Sequence, residues 1–167
     1  MIRQFVMMGV AGSGKSHIGA ALAARLGMTY LEGDDFHPEA NVEKMSRGEP
    51  LTDDDRWPWL EKVGHALALA PSDTIIGCSA LKRRYRDLIR SMAPRSVFLF
   101  LDGDRALIAQ RMAARDGHFM PLSLLDSQFA ALEHLQTDED HLTTPITGSP
   151  DDIVESFATQ LAAGGYL

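Results

Sequence analysis

The sequence predicts a three-layer α/β fold, a parallel five-stranded sheet with helices on both faces. Three observations predict it. Short apolar runs alternate with helical patterns along the whole chain. One run, Val97-Phe98-Leu99-Phe100-Leu101, is apolar at every position, as expected of a strand covered on both sides. The stretch Gly9-Val10-Ala11-Gly12-Ser13-Gly14-Lys15-Ser16 stands between a strand pattern and a helix pattern and fits G-x-x-x-x-G-K-[ST]. The 167 residues suit a single domain, 1–167.

Taken in order, Gln4 to Met8 reads as a buried strand running into the glycine loop. Ile18, Ala21, Leu22, Arg25 and Leu26 follow at helical spacing, and Gly27 stops that helix. Met28 to Leu31 reads as a second strand, ending in Glu32-Gly33-Asp34-Asp35-Phe36-His37-Pro38. Glu39 to Arg47 is a short helix closed by Gly48. Thr52 caps the next helix, with Asp55 as a carboxylate variant of the capping box, and Pro71 ends it. Thr74 to Cys78 is a third strand. The helix after it has Leu81, Tyr85, Leu88, Ile89 and Met92 at core spacing. Val97 to Leu101 is the fourth strand, and Asp104 caps the helix after it. Leu124 to Leu135 is expected as a helix and His141 to Ile146 as a weak fifth strand. Ser149-Pro150 caps and starts the last helix.

The composition is that of an ordinary globular chain, 45% hydrophobic and 23% charged. There is no apolar run of membrane-spanning length and no signal-peptide pattern. Cys78 is the only cysteine, so no internal disulfide forms, and a cytoplasmic setting is expected. The formal charge of −7 argues against sequence-independent nucleic-acid binding. It leaves small anions open, provided cations gather in one cleft. Six of the 16 Lys and Arg lie between Lys82 and Arg95, and by themselves these read as a solvated helix face.

The glycine loop carries the chemistry. Polyphosphate oxygens need several backbone N–H groups, and glycines let the chain curl around them. The helix that starts there adds the positive end of its dipole. Gly9, Val10, Ala11, Gly12, Ser13 and Gly14 therefore form a phosphate cradle for ATP. Lys15 reaches the β- and γ-phosphates, and the Ser16 hydroxyl sits on Mg²⁺. In a parallel sheet, ligands sit beyond the carboxyl ends of the strands, which brings three loops to one edge. The second loop carries Glu32 and Asp34, two apart, so an extended chain points them to one side. One suits Mg²⁺ through water, the other an attacking hydroxyl. The third loop carries Ser79 and Lys82.

Asp53-Asp54-Asp55 reads as ordinary capping, whereas Arg56 can grip a carboxylate with two hydrogen bonds. Trp57 and Trp59 read as core or wall, and Cys78 as an inert core thiol. His37, before Pro38, either contacts a substrate or fills a turn. Residues 111–122 read as a lid. Arg111 and Arg115 are four apart on one helix face, and Gly117 supplies a hinge.

These residues resemble a known family. Glu32-Gly33-Asp34, His37-Pro38, Asn41, Glu43-Lys44-Met45, Gly48, Pro50-Leu51, Asp53-Asp54-Asp55-Arg56 and Pro58-Trp59-Leu60 are similar to the bacterial-type gluconokinases. So are Cys78-Ser79-Ala80-Leu81-Lys82 with Tyr85-Arg86, and Gly117-His118-Phe119-Met120-Pro121 with Ser127-Gln128-Phe129 and Leu132-Glu133. The resemblance spans nearly the whole chain. It implies a nucleoside-monophosphate-kinase-like fold, similar to shikimate kinase, with a substrate-binding helical insertion at about residues 38–70. It implies ATP- and Mg²⁺-dependent phosphorylation of D-gluconate to 6-phosphogluconate, usually in a homodimer. By the same resemblance Asp34 is the base or hydroxyl-orienting residue, Arg56 and Lys82 grip gluconate, and Lys44 and His37 are further substrate contacts. The family often has Asp at Glu32 and a basic residue at Asp116, which removes that lid position as a cation here.

The alternatives are a kinase of another small polyol or acid, on the same fold and loop, and a nucleotide-dependent switch. A guanine-nucleotide switch would show N-K-x-D, and Asn41-Val42-Glu43-Lys44 has the wrong order.

Overall fold

The central strand alternates Phe5 and Met7 on one face with Val6 and Met8 on the other, and all four are buried. A strand apolar on both faces needs cover on both, and the computed structural model, which describes residues 1–115 and 121–167, supplies it. The elements run β1 (Gln4–Met8), α1 (Lys15–Leu26), β2 (Thr29–Glu32), a 3₁₀ turn (Gly33–Phe36), α2 (Glu39–Ser46) and α3 (Asp53–Ala68). They continue with β3 (Thr74–Gly77), α4 (Arg83–Met92), β4 (Val97–Asp102), α5 (Arg105–Ala113), α6 (Leu122–Ala131), β5 (His141–Pro145) and α7 (Pro150–Ala163).

The five strands are all parallel, in the order β2-β3-β1-β4-β5. One core packs Phe5, Met7, Ile75 and Leu99 against Ile18 and Leu22 of α1, Ile108 of α5, Leu125 of α6 and Phe157 of α7. The other packs Val6, Met8, Ile76 and Phe98 against Leu60 and Val63 of α3 and Tyr85 and Ile89 of α4. The order reverses at β1, whose neighbours are β3 and β4, so the loop after β1 opens at the sheet's switch point, where α/β sheets bind ligands.

Local signals act as read. Gly27 ends α1 in the left-handed conformation, with its N–H on Ala23 and Ala24 carbonyls. Thr52 and Asp55 form a reciprocal capping box, Asp104 caps α5, and Ser149 and Asp152 form a second box at α7.

Five expectations need correction. The helix expected over 124–135 starts at Leu122 and stops at Ala131, because the Glu133 N–H leaves to bond the Leu81 carbonyl. Leu81 lies before α4, whose N-cap is Lys82, and is buried from the loop. The second strand runs one residue later than expected and pairs Glu32 with Gly77. A tight 3₁₀ turn follows at once, so Glu32 and Asp34 are not alternate residues of an extended chain. Gly33 is required there, since an added Cβ would lie 1.9 Å from the Gly77 carbonyl oxygen. The basic run of α4 is a solvated face only in part, with Arg84 exposed and Arg86 buried. Arg86 is 0% exposed, because its guanidinium binds Glu139 through Nε at 2.7 Å and Nη2 at 3.0 Å, and the carbonyls of Ala80 and Leu81 through Nη1.

Candidate active site

The phosphate loop closes over the start of α1. Gly14 takes φ +100° as the N-cap and Gly12 φ +78°, conformations that L side chains rarely adopt. Lys15 Nζ donates to the Val10 carbonyl at 3.1 Å. Burial lowers the Lys15 pKa, and the negative charges of Asp34 and Glu32 work against that. Ser16 Oγ donates to Glu32 Oε2 at 2.5 Å, and Tyr30 Oη donates to the same oxygen at 3.1 Å. One hydroxyl and one carboxylate therefore meet beside the cradle. They are hard oxygen donors of the type Mg²⁺ takes when phosphates supply its other ligands.

A cleft of about 290 Å³ runs from this loop to Met45 of α2 and the first turns of α3. Asp34, His37, Arg56 and Trp59 line it, together with Leu124, Ser127 and Gln128 of α6. The Asp34 side chain is 72% exposed to the open cleft. The surrounding walls push its carboxyl above the usual range, Lys15 opposes this, and Glu32 and Asp35 reinforce it. Arg56 is 9% exposed, and its Nη1 donates to the Leu51 carbonyl at 2.6 Å and to Tyr85 Oη at 3.3 Å. Its guanidinium has no carboxylate partner among the described residues, so its charge stays free for an anion at the cleft. Ser79 reaches the cleft from a loop in which the buried Ala80 takes φ +46°. Arg86 braces that loop from behind.

His37 stacks on Trp59 with ring centroids 4.0 Å apart at 17°, and Trp59 Nε1 donates to the Gly33 carbonyl at 2.8 Å. Trp59 is thus both wall and anchor for the turn that carries Asp34. Burial, with Arg56 nearby, lowers the His37 pKa to about 4. Cys78 is buried with its thiol pushed up to about 12, in keeping with an inert core residue.

Two predicted grips stand elsewhere. Lys82 is not in the cleft lining. It borders an adjoining groove, where its Nζ donates to Asp53 Oδ1 at 3.1 Å. Asp53 also receives Arg84 at 3.0 Å and the Tyr85 hydroxyl. Lys44 donates to Asp55 Oδ2 at 2.7 Å and is likewise absent from the cleft lining. Sequence alone made Asp53 and Asp55 caps; they are also the partners of these lysines, because α2 and α4 flank the start of α3.

A second hollow of about 250 Å³ adjoins the other side of the phosphate loop, lined by Gly12, His17, Arg111, Arg115, Gly148 and Pro150. Arg115 borders both hollows. The shared helix face expected for Arg111 and Arg115 is cut short, since α5 ends at Ala113. Asp116, the Gly117 hinge and the rest of the motif through Met120 lie outside the described residues.

Sequence reading missed the roles of Gln128 and Asn41. Gln128 Oε1 accepts the Ala11 N–H at 3.1 Å, which joins α6 to the phosphate loop. Asn41 bonds both His37 and the Asp55 carbonyl. The only signal for either was its place in the resemblance motifs.

A model of an AAA domain matches residues 5–135. The thermoresistant gluconokinase of Escherichia coli (strain K12) is 44% identical over 165 residues, covering 96% of this chain and 94% of that protein. The gluconokinase of Gluconobacter oxydans is 42% identical, covering 96% and 92%. The crystal structure of a gluconokinase from Sinorhizobium meliloti superposes with a TM-score of 0.90 at 43% identity, over 98% and 95% of the two chains. Shikimate kinase from Aquifex aeolicus shares the fold alone, with a TM-score of 0.68 at 16% identity. Joined to the phosphate loop and the cleft beside it, these matches show that the chain belongs to the gluconokinase family, kinases built on a phosphate-binding-loop fold.

Proposed function

We propose that this chain transfers the γ-phosphoryl group of ATP to the 6-hydroxyl of D-gluconate, giving 6-phospho-D-gluconate and ADP. One observation carries the reading. A single cleft joins the phosphate loop to a carboxylate, a neutral imidazole and a buried guanidinium with no acidic partner among the described residues. A sugar acid needs those groups: a cation for its carboxylate, and acceptors and donors for its hydroxyls.

In this mechanism the N–H groups of Gly12, Gly14, Lys15 and Ser16 and the Lys15 ammonium hold the β- and γ-phosphates. Ser16, with Glu32 through water, would hold Mg²⁺, which when bound neutralises phosphate charge. Asp34 orients the 6-hydroxyl in line with the γ-phosphorus and accepts its proton as the new O–P bond forms and the bond to the β-phosphate oxygen breaks. Its raised pKa suits that task. The hydroxyl is not acidic, so positioning and charge neutralisation supply most of the rate. Arg56 is the principal grip on the gluconate carboxylate, while Lys82 and Lys44 act from the flanks through the Asp53 and Asp55 networks. The second hollow takes the nucleoside, and Arg111 and Arg115 close over the phosphates. The same reading makes the enzyme a cytoplasmic homodimer. No helix among the described residues is long and apolar enough to cross a membrane.

The test is ATP consumption with Mg²⁺ against D-gluconate, shikimate, glycerate, glucose and no acceptor. Stimulation by gluconate alone is expected. Stimulation by another acceptor keeps the kinase and removes the substrate. A slow hydrolysis that no acceptor stimulates would remove the kinase reading.

A further inference from the structure

Asn41 is 4% exposed, on a helix otherwise largely open to solvent, and its carboxamide makes two contacts with one atom. Nδ2 lies 2.9 Å from the Asp55 backbone carbonyl and 3.3 Å from His37 Nδ1. A carbonyl only accepts, so the atom facing it is the NH₂. The same NH₂ then faces His37 Nδ1, which must accept. A neutral imidazole that accepts at Nδ1 carries its proton on Nε2. His37 Nε2 lies 3.8 Å from Asp34 Oδ1, and the ring cannot swing away because it is stacked on Trp59.

We infer that Asn41 is a positioning residue that locks His37 in its Nε2–H tautomer, so that a neutral donor faces Asp34 and the acceptor hydroxyl. This rests on the proposed role of Asp34. The arrangement has two consequences. An N–H beside one Asp34 oxygen restricts the rotation of that carboxylate and leaves the other oxygen for the hydroxyl. A neutral ring does so without the full positive charge that would weaken Asp34 as a proton acceptor. The 3.8 Å separation is longer than a hydrogen bond, as catalytic contacts often are before substrates fill the site.

Protonating His37 would set an Nδ1–H against the Asn41 NH₂, two donors face to face. The charged groups around the ring are Asp34 on the turn and Arg56 on α3, while the Asp55 carboxylate is occupied by Lys44 and the Thr52 N–H. Burial and Arg56 therefore keep the ring neutral to about pH 4 despite Asp34.

The experiment combines ¹⁵N imidazole NMR with kinetics on the whole chain. His37 is one of six histidines and is assigned from the signal lost in His37→Phe. In the wild type we expect Nε2 protonated and Nδ1 bare at neutral pH, with no titration in the ordinary histidine range. In Asn41→Asp the new carboxylate accepts from Nδ1–H, so the tautomer flips and the ring titrates near neutrality. kcat with gluconate should fall on the order of ten- to a hundredfold, with the KM for ATP unchanged. It should also gain an acidic limb that His37→Phe lacks. His37→Phe keeps the stack on Trp59 and loses the donor, so it should show the same loss of kcat without that limb. A wild-type His37 protonated on Nδ1, or titrating like a free histidine, overturns the inference, as does wild-type kcat in a folded His37→Phe. If wild-type enzyme itself ignores gluconate, the proposed function has failed instead, and the NMR result still decides the tautomer.

Discussion

Two sets of cations lie near the cleft, and the protein uses them in opposite ways. Lys82, Arg83, Arg84, Arg86 and Arg90 lie in the chain's most basic stretch, and each is bound to a carboxylate. They tie α4 to the start of α3 through Asp53 and to residues 138–139 through Asp138 and Glu139. Lys15 and Arg56 come from different elements, and their closest polar partners are carbonyls and one phenol. The first set spends its charge on architecture. The second keeps its charge for an anion. A cluster of basic residues in a sequence thus says little about where an anionic substrate binds; what matters is whether an acid already occupies each one.

The comparison breaks hardest at Glu139. Burial alone would raise its carboxyl pKa, but Arg86, the Gln136 N–H and Arg90 hold it at about 2. Glu139→Ala would leave Arg86 buried and uncompensated, so chemical denaturation should show a loss of about 3–5 kcal/mol. Activity in whatever fraction folds should fall less than in any cleft variant.

The cleft set fails in the other direction. Lys15→Ala should lower kcat by about a hundred- to a thousandfold, the scale of removing one donor to developing charge. Asp34→Ala should lose at least about a hundredfold in kcat with ATP affinity little changed. Both should unfold at denaturant concentrations near the wild type's. Near-normal turnover in Asp34→Ala would remove that residue from the mechanism.

His37 separates the two behaviours by pH. Its pKa falls from the ordinary 6.5 to about 4 on folding, so between those values the unfolded chain binds more protons. Its contribution to stability is complete above the unfolded value and is lost as pH falls through that window. Glu139 and Asp55 have pKa values lowered to about 2 from 4.5 and 3.8, so their contributions fade at lower pH. His37 should therefore account for about 2 kcal/mol of the drop between pH 6.5 and pH 4.5, so that denaturation at each pH shows a drop smaller by that amount in His37→Phe.

The mildest contrast sets Arg56 against Lys82. Arg56→Ala should raise the KM for gluconate about tenfold or more, the worth of a hydrogen bond to a charged group. Lys82→Ala should raise it only a fewfold, since Asp53 already occupies that ammonium. A larger effect at Lys82 would mean that the groove beside Asp53, rather than the cleft at Arg56, receives the carboxylate.

What the sequence disclosed follows the same division between near and far. The phosphate loop was legible because eight contiguous residues set its backbone, and the Thr52–Asp55 box because its partners are three residues apart. The parallel direction of the strands followed from alternating strand and helix patterns. The far contacts were not legible. Arg86 and Glu139 are 53 residues apart, and Gln128 reaches Ala11 across 117. Nothing local marks either pair, and α6 ends early for the same reason, because residue 133 finds its partner on Leu81. The turn that moves Asp34 off the strand depends on Gly33 meeting Gly77, a contact made only when β2 pairs with β3.

The measurement that bears most directly on the whole account is the product formed from D-gluconate and MgATP, followed by ³¹P NMR in the wild type and in Asp34→Ala. Rapid, gluconate-dependent conversion to a phosphate ester on the 6-hydroxyl is expected, with a rate at least about a hundredfold lower in the variant. Free phosphate formed at the same rate with or without gluconate would contradict it, and so would an ester on another hydroxyl.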